Sequence, residues 1–274
     1  MLTAVEHLGA VGVGVTRPQF FRADDGKKYV VKLQNNRLGC KVLVSEWLGA
    51  EFGNIMKLCF PASDIIQIDE EVVQNSPALL TLGVTPGQHF ASHYLEDTEY
   101  VNQHNINKAV NITAMAGILL FDHLFHNPDR TKNKKNLILH PEKEGSKIYA
   151  IDNSHLFRSG KWTLASLATL ATKIEFYYPS SYGSFLKEAL SPQDFLPYAE
   201  RIAQLSNEQI ATIIKNIPAQ WLPDQPEQQE LAYYIQTRRD MVDEIRKILC
   251  KELRRPHGER RWLFGKVIKS FTSL

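Results

Sequence analysis

Five side chains are of the types that handle phosphate and metal: Lys32, Glu46, Asp129, Asn136 and Asp152. Lys32 closes the run Tyr29-Val-Val-Lys-Leu33, where alternate side chains face opposite sides, so it points away from Val31 and Leu33. A covered ammonium needs a counter-charge. Glu46, in the helix that follows, is placed to supply one. Asp129 lies in a polar stretch, residues 127–135, behind an apolar helix, and Asn136 opens the apolar run 137–139. Asp152 ends a second apolar run, 148–151, and the polar residues 140–146 between the runs predict a hairpin. A hairpin brings the start of its first strand and the end of its second to one edge, so Asn136 and Asp152 should converge. Such oxygen ligands suit Mg²⁺, which binds through one or two carboxylates plus substrate phosphates. Phosphoryl transfer asks for this set: a lysine on the phosphates, an acid positioning it, a carboxylate for the acceptor proton, and an Asn and Asp on the metal. The turn Gly12-Val-Gly-Val-Thr16 would lay backbone N–H groups over the phosphates, with Gly12, Gly14 and Thr16 as its contacts.

The elements that must carry these groups divide by texture. Residues 11–15, 19–23 and 28–33 read as strands, with Asp24-Asp25-Gly26 as a hairpin turn. Helical spacing starts at Lys41 and stops at Gly53-Asn54, and residues 65–68 and 78–84 read as two further strands. The order β-β-β-α-β-β predicts an antiparallel sheet with one helix against it. Helices then dominate, over 111–125, 163–176, 192–205, 208–217 and 227–255. Gly83, Pro86 and Gly87 cluster at residues 82–87, which sets the expected boundary between residues 1–83 and 84–274.

Composition excludes several classes of function. The chain has 274 residues, 43% hydrophobic and 23% charged, ample for a buried core and against wholesale disorder. A net charge of +2 gives no argument for a nucleic-acid partner. Three cysteines, none paired as C-x-x-C, argue against a disulfide framework and for a reducing cytoplasm. The first residues lack the basic start of a signal peptide, and no apolar stretch is long enough to span a bilayer. From Arg246 the chain holds nine Lys/Arg against two Glu, interleaved with Trp262, Leu263 and Phe264. That tail suits either a docked helix with a solvated basic face or an anionic surface.

On these residues the chain resembles the HipA-like kinases of bacteria in their short form, and more distantly the type II phosphatidylinositol 4-kinases. The resemblance runs through Gly-Val-Thr-Arg-Pro at 14–18, Asp-Asp-Gly-Lys-Lys-Tyr-Val-Val-Lys at 24–32 and Ser-Glu-Trp-Leu at 45–48. It continues in Phe-Asp-His-Leu-Phe-His-Asn-Pro-Asp-Arg-Thr at 121–131, Asn-Leu-Ile at 136–138 and Ile-Asp-Asn at 151–153. It implies an α+β, two-lobed protein-kinase-like fold, with an antiparallel β-rich N-lobe, a helical C-lobe and ATP between them. In that frame Lys32 binds phosphate, Glu46 is its ion-pair partner, Asp129 is catalytic, and Asn136 and Asp152 hold Mg²⁺. The adenine would lie against residues 80–85, making Leu80 and Leu82 nucleotide contacts. Related kinases carry the Asn five residues after the Asp, where this chain has Lys134; Asn136 implies a longer loop, with Asn133 as the alternative ligand. The expected acceptor is a protein Ser/Thr, with a lipid or small molecule, or a kinase-like scaffold without transfer activity, as alternatives.

Two other readings compete. The glycines at 9, 12 and 14 do not open a helix, since Pro18 follows, which excludes a dinucleotide fingerprint. His123 and His126 lie three apart near a helix end, where zinc binding is less expected than a structural role. Asp122 is expected to brace the loop carrying Asp129.

Overall fold

The computed structural model describes residues 1–176, 186 and 188–253. Five strands close into a barrel: β1 (Leu2–Ala10), β2 (Gln19–Ala23), β3 (Lys28–Lys32), β4 (Ser63–Ile68) and β5 (Gly87–His93), in the order β1-β2-β3-β5-β4. Neighbours are antiparallel except at the seam, where β1 runs parallel to β4 with Leu2 opposite Ile66. Inward positions alternate as strand geometry requires, and Phe21, Tyr29, Val31, Ile66, Ile68 and Ala91 make the barrel core. Val73, Leu79 and Val84, from the segment joining β4 to β5, belong to the same core.

Two strand readings are corrected here. The first strand is Leu2–Ala10 and not residues 11–15; Gly12 and Gly14 have φ of +83° and +98°, so that stretch turns. Residues 78–84 are not a strand. Ser76 and Pro77 start a short helix, α3 (Pro77–Thr81), after α2 (Glu70–Gln74), and the Ser76 side chain accepts a hydrogen bond from the Leu79 N–H. A short apolar run has no decisive period, and the cap residues decided it. The last barrel strand is therefore β5, which begins at Gly87.

Helix α1 (Lys41–Met56) is buried on most sides and packs on β4 and β5. It does not stop at Gly53-Asn54. Gly53 leaves room for the Phe60 ring, and the helix ends at Lys57, left-handed with φ +57°.

After the barrel, β6 (Glu99–Tyr100) pairs with β7 (Leu137–Glu142), and β7 with β8 (Gly145–Ala150), which is the expected hairpin. Helix α4 (Met115–Leu124) is buried along its whole length. Around it lie α6 (Leu164–Ala171), α7 (Leu196–Ala203), α8 (Asn207–Lys215), α9 (Gln225–Asp240) and α10 (Val242–Leu253). The helix expected over 227–255 is thus two, broken at Met241. One large apolar core runs from α1 through α4 to α10. Among the described residues no helix is long and apolar enough to cross a membrane. The basic tail from residue 254 lies outside the described residues.

Candidate active site

The segment after α4 is built to be rigid. The last carbonyls of a helix have no partner within it. Here Arg238 of α9 donates Nε to the Leu124 carbonyl at 2.9 Å and Nη2 to the His123 carbonyl at 2.9 Å. His126 takes φ +50° and sits between the Tyr234 hydroxyl at 2.7 Å and the Lys173 carbonyl at 3.0 Å. His123 donates Nδ1–H to the Leu119 carbonyl at 2.6 Å. Both histidines therefore serve the packing of this segment.

Asp129 begins a single helical turn, α5 (Asp129–Lys132). The residues that lengthen its spacing to Asn136 form a 3-10 turn, Lys134–Asn136. Asn136 donates Nδ2 to Asp129 Oδ2 at 2.7 Å. Asn133, the alternative ligand, spends its side-chain oxygen on the Lys135 N–H at 3.1 Å. The hairpin brings the start of β7 and the end of β8 to one edge as expected: the Ile151 N–H meets the Asn136 carbonyl at 3.0 Å, directly before Asp152.

Arg130 locks these pieces together and was missed by sequence reasoning. Its Nε meets both Asp122 oxygens, at 3.0 and 3.2 Å. Nη1 donates to the Ile151 carbonyl at 2.6 Å and the Asn136 carbonyl at 3.2 Å, and Nη2 to Asn153 Oδ1 at 2.7 Å. Asn127 also donates to Asp122 Oδ1 at 3.0 Å, so Asp122 braces the loop. Burial pushes the Asp122 carboxyl up to about 6, with Arg130 pulling the other way. The clue was in the sequence: a carboxylate inside an otherwise apolar helix requires a buried cation nearby.

Lys32 joins the barrel to this assembly. Its Nζ bonds Glu46 Oε1 of α1 and Asp152 Oδ1, the latter at 2.8 Å across 120 residues of sequence. Glu46 Oε1 also accepts the Asn153 N–H at 3.1 Å. Burial disfavours the Lys32 ammonium, but Asp152 and Glu46 outweigh it and raise its pKa. Burial likewise opposes the Asp152 charge, yet Lys32 and Ser154 hold that carboxyl well below the usual range. Burial wins at Glu46, whose pKa is raised against the pull of Lys32. Asp152 takes φ +63°, a strained conformation for a side-chain-bearing residue, held by Ser154 donating N–H at 3.1 Å and Oγ–H at 2.5 Å to its Oδ1.

Gly49 lets α1 come this close. A Cβ there would lie 2.5 to 2.8 Å from the Asn153 side chain. Gly49→Ala is expected to cost about 1–2 kcal/mol net, since overpacking outweighs the better helix propensity. It should also weaken the Glu46–Asn153 contact and slow turnover. Denaturant unfolding and a rate assay check both; wild-type values in each would show that α1 need not dock here.

Not all the expected residues meet. Gly12, Gly14 and Leu82 line a cleft of about 530 Å³ between the Gly-rich turn and α3, whose lining includes none of the five groups above. Thr16 is buried in the turn and Leu80 is 46% exposed on α3. Side chains on the Lys32 side of the sheet are instead Val30, with Phe20 opposite it on β2 and Ser92 on β5. Strand alternation counted back from Lys32 could have found Val30.

Comparison with known proteins follows this geometry. No curated protein matches the sequence significantly. The fold is similar to a Helicobacter pylori proinflammatory kinase, CtkA, with a TM-score of 0.57 at 12% identity, covering 91% of this chain and 96% of that one. It is also similar to hydra Fam20 with sugar, TM-score 0.51 at 10% identity, covering 92% and 88%. The HipA-like kinase family model matches residues 5–251, so the chain belongs to the HipA-like kinases and is a phosphotransferase.

Proposed function

We propose that the protein is an ATP-dependent kinase that transfers the γ-phosphoryl group to a hydroxyl, with a protein Ser/Thr as the favoured acceptor. The observation that carries this reading is the Lys32 ammonium bonded at once to Glu46 and Asp152. In this reading the barrel with α1 forms one lobe and the chain beyond residue 93 the other, with the nucleotide between them in a reducing cytoplasm. Lys32 holds the phosphates and Glu46 holds Lys32. The base lies on Val30 and Phe20, toward the connection at residues 94–98, in place of Leu80 and Leu82. Gly12, Gly14 and Thr16 close over the phosphates from the same end of the barrel as Lys32, since Ala10 pairs with Gln19 and Gln19 with Val31.

A charged carboxylate at Asp152 and an amide oxygen at Asn136 are hard donors that fit Mg²⁺ completed by phosphate oxygens. Such an ion supplies neutralisation of charge on the transferring phosphate. Asn136 and Asp152 would hold it, and the Asn136 amide also fixes one oxygen of Asp129. Asp129 Oδ1 has no partner among the described residues and is left for the acceptor. The acceptor oxygen bonds the γ-phosphorus as the bond to the β,γ-bridging oxygen breaks. Its proton passes to Asp129, and ADP leaves with the bridging oxygen.

Labelled ATP, supplied with cell-extract protein or lipid vesicles, tests the reading. Lys32→Ala and Asp152→Ala are expected to lose transfer by a factor of about 10² or more. Wild-type rates in both variants would contradict the roles given to Lys32 and Asp152, a wild-type chain without transfer would leave a kinase-like scaffold, and label in lipid alone would move the acceptor to a membrane surface.

A further inference from the structure

His155 lies beside Asp129 and is linked through Ser154 to Asp152. Its Nδ1 is 3.1 Å from Ser154 Oγ and 4.0 Å from Asp129 Oδ2. Ser154 has one hydroxyl proton, and its 2.5 Å contact to Asp152 Oδ1 is the charge-assisted bond that claims it. Toward His155, then, Ser154 Oγ offers only lone pairs, and so does the Asp129 carboxylate. A bare Nδ1 would face two oxygen acceptors with a third lone pair. The neutral imidazole therefore carries its proton on Nδ1, which leaves Nε2 as an acceptor. Nε2 has no hydrogen-bond partner among the described residues, and the side chain is 39% exposed, beside an Asp129 side chain that is 25% exposed.

We infer that His155 is a substrate-contacting residue: its Nε2 accepts a hydrogen bond from an O–H or N–H donor of the phosphoryl acceptor and seats the reacting hydroxyl against Asp129 Oδ1. The inference rests on the kinase reading above. Two neighbours set the arrangement in order: Asp152 accepts from the Ser154 hydroxyl and Ser154 Oγ accepts from His155 Nδ1–H, which turns Nε2 to the acceptor. His155 moves no proton in this scheme; the hydroxyl proton still goes to Asp129.

Two measurements on the full chain test it. Imidazole ¹⁵N NMR at a pH where His155 is neutral is expected to show a protonated Nδ1 and an unprotonated Nε2; the opposite tautomer overturns the inference whatever the activity. Steady-state transfer from ATP is then measured to dephosphorylated casein, or to the Lys32→Ala chain if casein is not labelled. His155→Asn keeps a donor near Nδ1 but has nothing at Nε2, whereas His155→Gln can place an oxygen there. His155→Asn should raise the acceptor KM roughly tenfold, the loss of one hydrogen bond, with the ATP KM unchanged and most of the effect recovered in His155→Gln. Equal losses in both variants, or a fall in kcat with an unchanged acceptor KM, would refute a contact with the acceptor. A wild-type chain that consumes no ATP instead defeats the kinase reading, and the tautomer measurement still decides the geometry at His155.

Discussion

Asp129→Asn is expected to lower phosphoryl transfer by about 10²–10⁴, the range for loss of a general base, while leaving nucleotide affinity close to wild type. The substitution is nearly isosteric, and Asp129 makes no contact with Lys32 or Glu46, whose geometry is set by α1 and Asp152. The Asn136 amide, which now donates to Asp129 Oδ2 at 2.7 Å, would meet an amide that can still accept through its oxygen. Fold and metal ligands should therefore survive, and a magnesium-dependent ATP assay beside a nucleotide titration separates chemistry from binding. A variant that transfers phosphate at the wild-type rate would remove Asp129 from the reaction.

Arg130→Ala is expected to be the most destabilising single change at the site, at about 3–5 kcal/mol. Arg130 is 2% exposed and its removal leaves Asp122, itself 2% exposed, as an uncompensated buried carboxylate. It also strips donors from the Asn136 and Ile151 carbonyls and from Asn153. The pH dependence has a definite sign. The Asp122 carboxyl, at about 6, is already above its value of 3.8 for an unperturbed group, with burial as the leading cause. A group whose folded pKa is raised gives stability that is complete below the unfolded value and lost as pH rises through the folded one. Without the guanidinium that pKa moves higher still, so the deficit of Arg130→Ala should grow from about pH 5 to about pH 8. Thermal melts across that range check it; a deficit that shrinks with rising pH would mean Asp122 is not held by Arg130. Asp122→Asn in the same background should recover part of the loss, because it removes the charge that was stranded.

These two residues mark the limits of local reading. Asp129 stands out along the sequence because a carboxylate between an apolar helix and an apolar hairpin has few structural duties. Arg130, its neighbour, carries no hydropathic signal, and its partners at 122, 136, 151 and 153 come from separate elements. The hairpin Leu137–Glu142 and Gly145–Ala150 was legible as two apolar runs around a polar turn. Residues 78–84 were misread as a strand because a short apolar run fits helix and strand alike, and the Ser76 cap with Pro77 settled it. His155 stands out in no local pattern, since its contact with Ser154 acquires meaning only from the Ser154–Asp152 contact.

By itself the amino-acid order determined the side-chain types needed for phosphoryl transfer and the elements that carry them, because period and turn chemistry act over a few residues. Only the tertiary structure decided which carboxylate the Lys32 ammonium would meet, how closely α1 docks through Gly49, and where the barrel closes. Those contacts join residues up to 120 positions apart. They are selected by burial and charge pairing in three dimensions, which leave no spacing rule along the chain.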